Sequence, residues 1–151
     1  MNPLRRTFLK LSGAALAVGA GLLKSGATLA ATWNKTAFES KATADALKSL
    51  GATNLIESKD ITITAPDIAE NGAVVPIAVT SKIPNTQSIS IIAEKNPFPL
   101  TSTFDIANGG EGYVSTRLKI GETSYVRAVV KADGKFYTAA KEIKVTIGGC
   151  G

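Results

Sequence analysis

The chain has 151 residues, with 17 basic and 12 acidic side chains, no histidine and a single cysteine. That length suits one domain around one core. The missing histidine removes Ser-His-Asp and Cys-His nucleophile pairs, His-ligated zinc or haem and an imidazole proton switch, and one cysteine rules out an internal disulfide or a multi-cysteine metal site, so neither a metal nor a cofactor is expected.

The net charge of +5 would point to nucleic acid or a membrane surface if it belonged to the folded part, but it sits in the first 31 residues. There Arg5, Arg6, Lys10 and Lys24 meet no acidic residue, and an apolar Gly- and Ala-rich stretch runs from Leu11 to Leu23. The stretch is too short to span a bilayer, and small residues follow at Thr28-Leu29-Ala30-Ala31, so residues 1–31 read as a cleavable export signal. Arg5-Arg6-Thr7-Phe8-Leu9-Lys10 resembles the twin-arginine export motif, departing from it at Leu4, where Ser or Thr is usual. That resemblance implies export in the folded state with a bound cofactor or partner. Without the four leader cations, 13 basic and 12 acidic residues remain, scattered with no run of like charge. Neither nucleic acid nor a stable membrane anchor is therefore expected of the mature chain.

The mature part, residues 32–147, begins with a helical pattern. Asn34 suits an N-cap, Phe38, Ala42, Ala46 and Leu50 recur every four residues, and Gly51 suits a left-handed C-cap, which predicts one helix over Asn34–Leu50. After Gly51 the period changes to two. Strands are predicted at Ile61–Thr64, Val74–Ser81, Ser88–Glu94, Thr101–Ile106, Tyr113–Lys119, Tyr125–Lys131 and Phe136–Ile147, the last with room for a break, separated by turn signals such as Asn71-Gly72, Asn96-Pro97, Asn108-Gly109-Gly110 and Gly121-Glu122. About seven short strands with no intervening helices predict a mainly β, immunoglobulin-like antiparallel sandwich with an N-terminal helix. Pro76 requires an edge position or a strand start. Phe98, between Pro97 and Pro99, is expected to plug the core at a corner, with an exposed partner anchor as the other reading. Asp133-Gly134 predicts a tight hairpin joining the last two strands. Asp105, Glu111, Arg117 and Arg127 alternate with apolar residues as solvent-facing strand positions do, not as a catalytic set.

The sequence ends in Gly148-Gly149-Cys150-Gly151, residues 148–151, with no apolar residue after Ile147 to dock the segment. A lone cysteine is usually a buried small hydrophobe, but here glycines on both sides predict a mobile, solvated arm. Three residues beyond the last strand reach on the order of 10 Å. In an oxidising compartment such a thiol suits either covalent attachment of a small group or an intermolecular disulfide. Nothing in the tail lowers the thiol pKa and the nearby α-carboxylate raises it, so Cys150 is expected to be a sluggish nucleophile on its own.

The tail resembles the Gly-Gly-Cys-Gly-Gly end of the SoxY family of sulfur carriers, short of its final glycine. The stretches Pro66-Asp67-Ile68-Ala69-Glu70-Asn71-Gly72 leading to Val75-Pro76, Ala93-Glu94-Lys95-Asn96-Pro97-Phe98-Pro99-Leu100 and Asp133-Gly134-Lys135-Phe136-Tyr137 also resemble SoxY, in the same order. The resemblance implies a periplasmic carrier that is not itself an enzyme. Cys150 would be the covalent acceptor of thiosulfate, with Gly148, Gly149 and Gly151 as the sleeve around it. It further implies a heterodimer with a SoxZ-like subunit, loading by a c-type haem enzyme and release of sulfate by a dimanganese hydrolase. The alternative is an exported structural or adhesive β-domain that dimerises through a Cys150 disulfide.

Overall fold

The computed structural model describes residues 33–107 and 109–146. The leader, with Arg5, Arg6, Phe8, Leu9 and Lys10, and the arm, with Gly148, Gly149, Cys150 and Gly151, lie outside the described residues. From Asn34 onward the chain is a unit of its own.

The predicted single helix is two: α1 (Lys35–Glu39) and α2 (Thr43–Ser49). Asn34 caps α1 as expected, its Oδ1 accepting the Ala37 amide at 3.1 Å, but its Nδ2 also donates to the Ser49 carbonyl at 2.8 Å, closing the two helices into a hairpin. Between them Ser40 is extended, with φ −64° and ψ 133°, and its hydroxyl donates back to the Thr36 carbonyl. An unbroken helix over 17 residues would be about 25 Å long. Folded in two, the segment sets Ala37, Phe38, Ala46, Leu47 and Leu50 into one apolar cluster against the sheet. The Gly51 cap stands as predicted: φ is +78°, its amide bonds the Lys48 carbonyl, and the Ala52 amide bonds that of Leu47, the paired pattern of a Schellman motif.

Nine strands follow among the described residues: β1 (Leu55–Glu57), β2 (Ile61–Thr64), β3 (Ile68–Ala69), β4 (Val75–Ser81), β5 (Thr86–Ala93), β6 (Leu100–Asp105), β7 (Tyr113–Leu118), β8 (Ser124–Ala132) and β9 (Lys135–Val145). The seven predicted strands are all present, and β9 runs without a break. β1 and β3 are additions, and both pair with β9 in parallel, so the architecture is not purely antiparallel. Strands of three and two residues are too short to reveal a period of two. One sheet has the order β1-β9-β8-β5-β6, with β3 also on β9; the other is β2-β4-β7.

The two sheets face one another over a core built from alternate residues: Val75, Ile77 and Val79 of β4 with Val114 and Leu118 of β7 on one side, and Ile89, Ile91, Val126, Ala128, Val130 and Ile143 on the other. Burying each of the valine, leucine and isoleucine side chains contributes roughly 1.5–3 kcal/mol. The intervening residues Ile92 and Val129 of the large sheet point the other way, where the helical hairpin covers them. This explains why β5 is buried on both faces from Ile89 to Ala93. Pro76 is the second residue of β4, opposite Arg117. β2 begins to pair only at Ala78, so on that side the missing amide of Pro76 faces no strand.

The Asp133-Gly134 hairpin is as predicted. Both residues have positive φ, 48° and 72°, and the flanking pair is Ala132 opposite Lys135, a two-residue loop whose twist matches the strands.

Candidate functional site

The described structure fixes the end of β9, from which the sequence continues to Cys150. The β8 ladder ends with Ser124 opposite Ile143. Beyond it other groups take over. The Val145 amide donates to Thr123 Oγ1 at 3.0 Å. On the other flank the Lys144 amide donates to the Asp67 carbonyl at 2.9 Å and the Thr146 amide to that of Ala69 at 3.2 Å. Lys141 Nζ reinforces that flank by binding the Ala65 carbonyl at 2.6 Å and Asp67 Oδ1 at 2.9 Å. The chain is thus clamped from both sides up to Thr146.

Gly72 shapes this clamp. Its carbonyl accepts the Ile120 amide at 2.7 Å. A Cβ built there would collide with the Ile120 carbonyl oxygen and lie 2.9 Å from Val145 Cγ1, so only glycine lets the 66–72 segment lie down against the base of the arm. Asn71 turns the chain just before it, Oδ1 accepting the Ala73 amide at 2.9 Å.

The segment Ala93–Leu100 is tied to the same pole of the sandwich. Asn96 Nδ2 donates to the Lys119 carbonyl at 2.7 Å, and its Oδ1 accepts the Gly121 amide at 3.2 Å. Ser124 Oγ accepts the Lys95 amide. Here one expectation is overturned: Phe98 does not plug the core but is half exposed, and Pro99 is the residue fully buried. With Ala93 bonded to the Pro99 carbonyl, the turn directs Pro99 inward and leaves its neighbour outside.

Asp105, Glu111 and Arg117 are exposed, as expected. Arg127 differs. It is half buried on the outer face of the large sheet, where Nε and Nη2 both bind Glu94 Oε1 at 2.8 Å and Nη1 reaches Thr138 Oγ1 at 3.4 Å. Thr138 in turn donates to the Ala128 carbonyl. The ion pair borders an open cleft of about 480 Å³, lined also by Glu57, Ser58 and Lys59. Among the described residues no group of three or more His, Cys, Asp or Glu could hold a metal, and no helix is long and apolar enough to cross a membrane.

Sequence reasoning missed the clamp residues Thr123, Ala69 and Gly72 as a group. The available signal was the Pro66–Gly72 stretch, whose Asn71-Gly72 reads as an ordinary turn until Val145 and Ile120 are seen packed against it.

These features define a class: a mainly β, two-sheet domain with a helical hairpin on its larger sheet, whose last strand is held to its final residues and leads into a Gly-Gly-Cys-Gly segment. Residues 46–150 match the family described as sulfur oxidation protein SoxY. The chain belongs to the SoxY family. A solved structure of the sulfur carrier protein SoxY from Chlorobium limicola f thiosulfatophilum is 39% identical, with a TM-score of 0.59, and the likeness covers 67% of this chain and 92% of that one. A chain from the toxic shock syndrome toxin-1 superantigen work aligns at 10% identity and TM-score 0.42, over 57% of this chain and 99% of that one. That likeness is too slight to carry an argument. No curated protein matches the chain.

Proposed function

We propose that the protein is a periplasmic carrier of thiosulfate-derived sulfur, with Cys150 as its covalent attachment point. The observation that carries this reading is the SoxY family match running through residue 150, alongside 39% identity to a sulfur carrier protein of known structure. The geometry supports it. The chain is held from both sides up to Thr146, and the sequence that follows is Ile147 and then glycines on both sides of Cys150, residues that impose little steric demand.

In this reading the thiol and the outer sulfur of thiosulfate join in a sulfur–sulfur bond. The thiol loses its proton, and two electrons pass to the c-type haem enzyme that performs the loading. Water then cleaves the bond between the two thiosulfate sulfurs at a dimanganese hydrolase, releasing sulfate and a proton and leaving one sulfane sulfur on Cys150 as a persulfide. The carrier contributes position; the enzymes that receive the arm contribute catalysis. A SoxZ-like subunit is the stable partner, and the twin-arginine leader with Arg5, Arg6, Phe8, Leu9 and Lys10 exports the folded pair.

The test is intact mass after incubation with thiosulfate and the haem enzyme. One adduct, lost on reduction and absent from Cys150→Ser, is expected. A doubled mass alone would instead indicate the disulfide-linked structural dimer.

A further inference from the structure

The registers assign each exposed large apolar side chain of the sandwich to one pole or the other. β9 ends at Val145, and at the same pole lie the starts of β4, β6 and β8 and the ends of β2, β5 and β7. Hydrogen bonds tie the loops there together: Ile120 to Gly72, Thr146 to Ala69, Glu94 to Tyr125, and the Asn96 side chain to Lys119 and Gly121. From this pole Ile68, Val74, Phe98 and Tyr125 are 57, 52, 51 and 50% exposed. Toward the opposite pole the exposed large apolar side chains of the described sandwich are only Ile56 and Tyr113, beside the exposed polar residues Lys82, Asn85, Asp133 and Lys135.

The apolar pole is also the one from which the chain leaves toward Cys150. Cys150 is four steps along the chain from Thr146, and a chain spans at most about 3.3–3.6 Å per step, so the Cys150 Cα lies within about 14 Å of the clamp. Any protein that takes the sulfur into an interior site therefore presses its outer wall against this pole. Exposed charges of both signs stand among these residues, with Glu142 opposite Tyr125 and Lys144 opposite Ile68 in the registers and Asp67, Glu70, Glu122, Lys95 and Lys119 at the same pole, so the pole presents no single-signed field.

We propose that Ile68, Val74, Phe98 and Tyr125 form a collar on which an enzyme acting on Cys150 seats the apolar mouth of its active-site channel. The inference rests on the carrier reading above. It names the surface through which that carrier is recognised.

The test uses the mature chain in complex with its partner subunit, loaded with thiosulfate at Cys150, as substrate for the sulfate-releasing hydrolase. Phe98→Ser and Tyr125→Ser each raise KM by roughly tenfold and leave kcat in place, because they remove docking contact far from the reacting bond. Unloaded Cys150→Ser complex, with the collar intact, inhibits competitively; adding Phe98→Ser weakens that inhibition by roughly the same tenfold factor. Circular dichroism and the thermal midpoint check that each variant is folded. Folded collar variants turned over with the wild-type KM overturn the collar and leave the carrier reading standing. Loss of the partner subunit from Phe98→Ser, or of a homodimer, also overturns it, since the collar then belongs to that contact. A wild-type Cys150 that acquires no sulfur overturns both.

Discussion

Gly72 and Ile120 approach each other so closely that the Gly72 carbonyl accepts the Ile120 amide at 2.7 Å while the Ile120 carbonyl occupies the place of any Cβ on residue 72. Two loops are thereby locked together beside Val145, at the root of the arm.

Gly72→Ala should consequently do more than lower helix or turn propensity. The obstacle is backbone, which yields only if a loop moves, so a cost of about 1–3 kcal/mol is expected, with a lower urea midpoint. Hydrogen exchange should report faster opening at the Val145 and Thr146 amides, while the Val129 amide in the centre of the large sheet keeps its protection.

The Arg127–Glu94 pair should matter more than its charge alone suggests. Its side chains are 26% and 28% exposed, and the guanidinium makes two bonds to one oxygen. Arg127→Ala should destabilise by about 1–2 kcal/mol, while Lys35→Ala, which breaks a solvent-exposed helical pair at 3.6 Å, should stay within about 0.5 kcal/mol. Chemical denaturation of both variants checks the contrast.

Thr123→Val should leave the β8 ladder intact and remove the acceptor of the Val145 amide. The expected loss is about 1 kcal/mol, with local fraying at the end of β9 seen by hydrogen exchange.

Phe98→Ser should leave thermal stability within about 0.5 kcal/mol of wild type, because the ring is half in water. Ile91→Ala, in the centre of the core, should cost about 2–5 kcal/mol. A large loss from Phe98→Ser would restore the core-plug reading that the structure overturns.

Much of the fold was legible where local chemistry and tertiary packing agree. Ile61–Thr64 alternates, the Asp133-Gly134 pair demands positive φ, and Gly51 ends a helix, and the structure realises each. The reading failed where tertiary contacts decide. The four-residue stripe from Phe38 to Leu50 is compatible with one helix, and only the bond from Asn34 to Ser49 and the apolar face of the sheet favour folding it in two. β1 and β3 exist because β9 offers them an edge, not because their own residues alternate. Phe98 and Pro99 are indistinguishable as inward or outward until the Ala93 bond to the Pro99 carbonyl sets the turn. Of the candidate site, Cys150 came from composition and resemblance, whereas the clamp that holds its root emerges only from three segments far apart in the chain.

The measurement that bears most directly on the account is the intact mass of the mature protein after exposure to thiosulfate and its haem-containing loading enzyme, for wild type and Cys150→Ser in parallel. The account predicts a single reducible thiosulfate-derived adduct on wild type and none on Cys150→Ser. An adduct that persists in Cys150→Ser, or a wild-type protein that gains only a disulfide-linked second copy of itself, would contradict it.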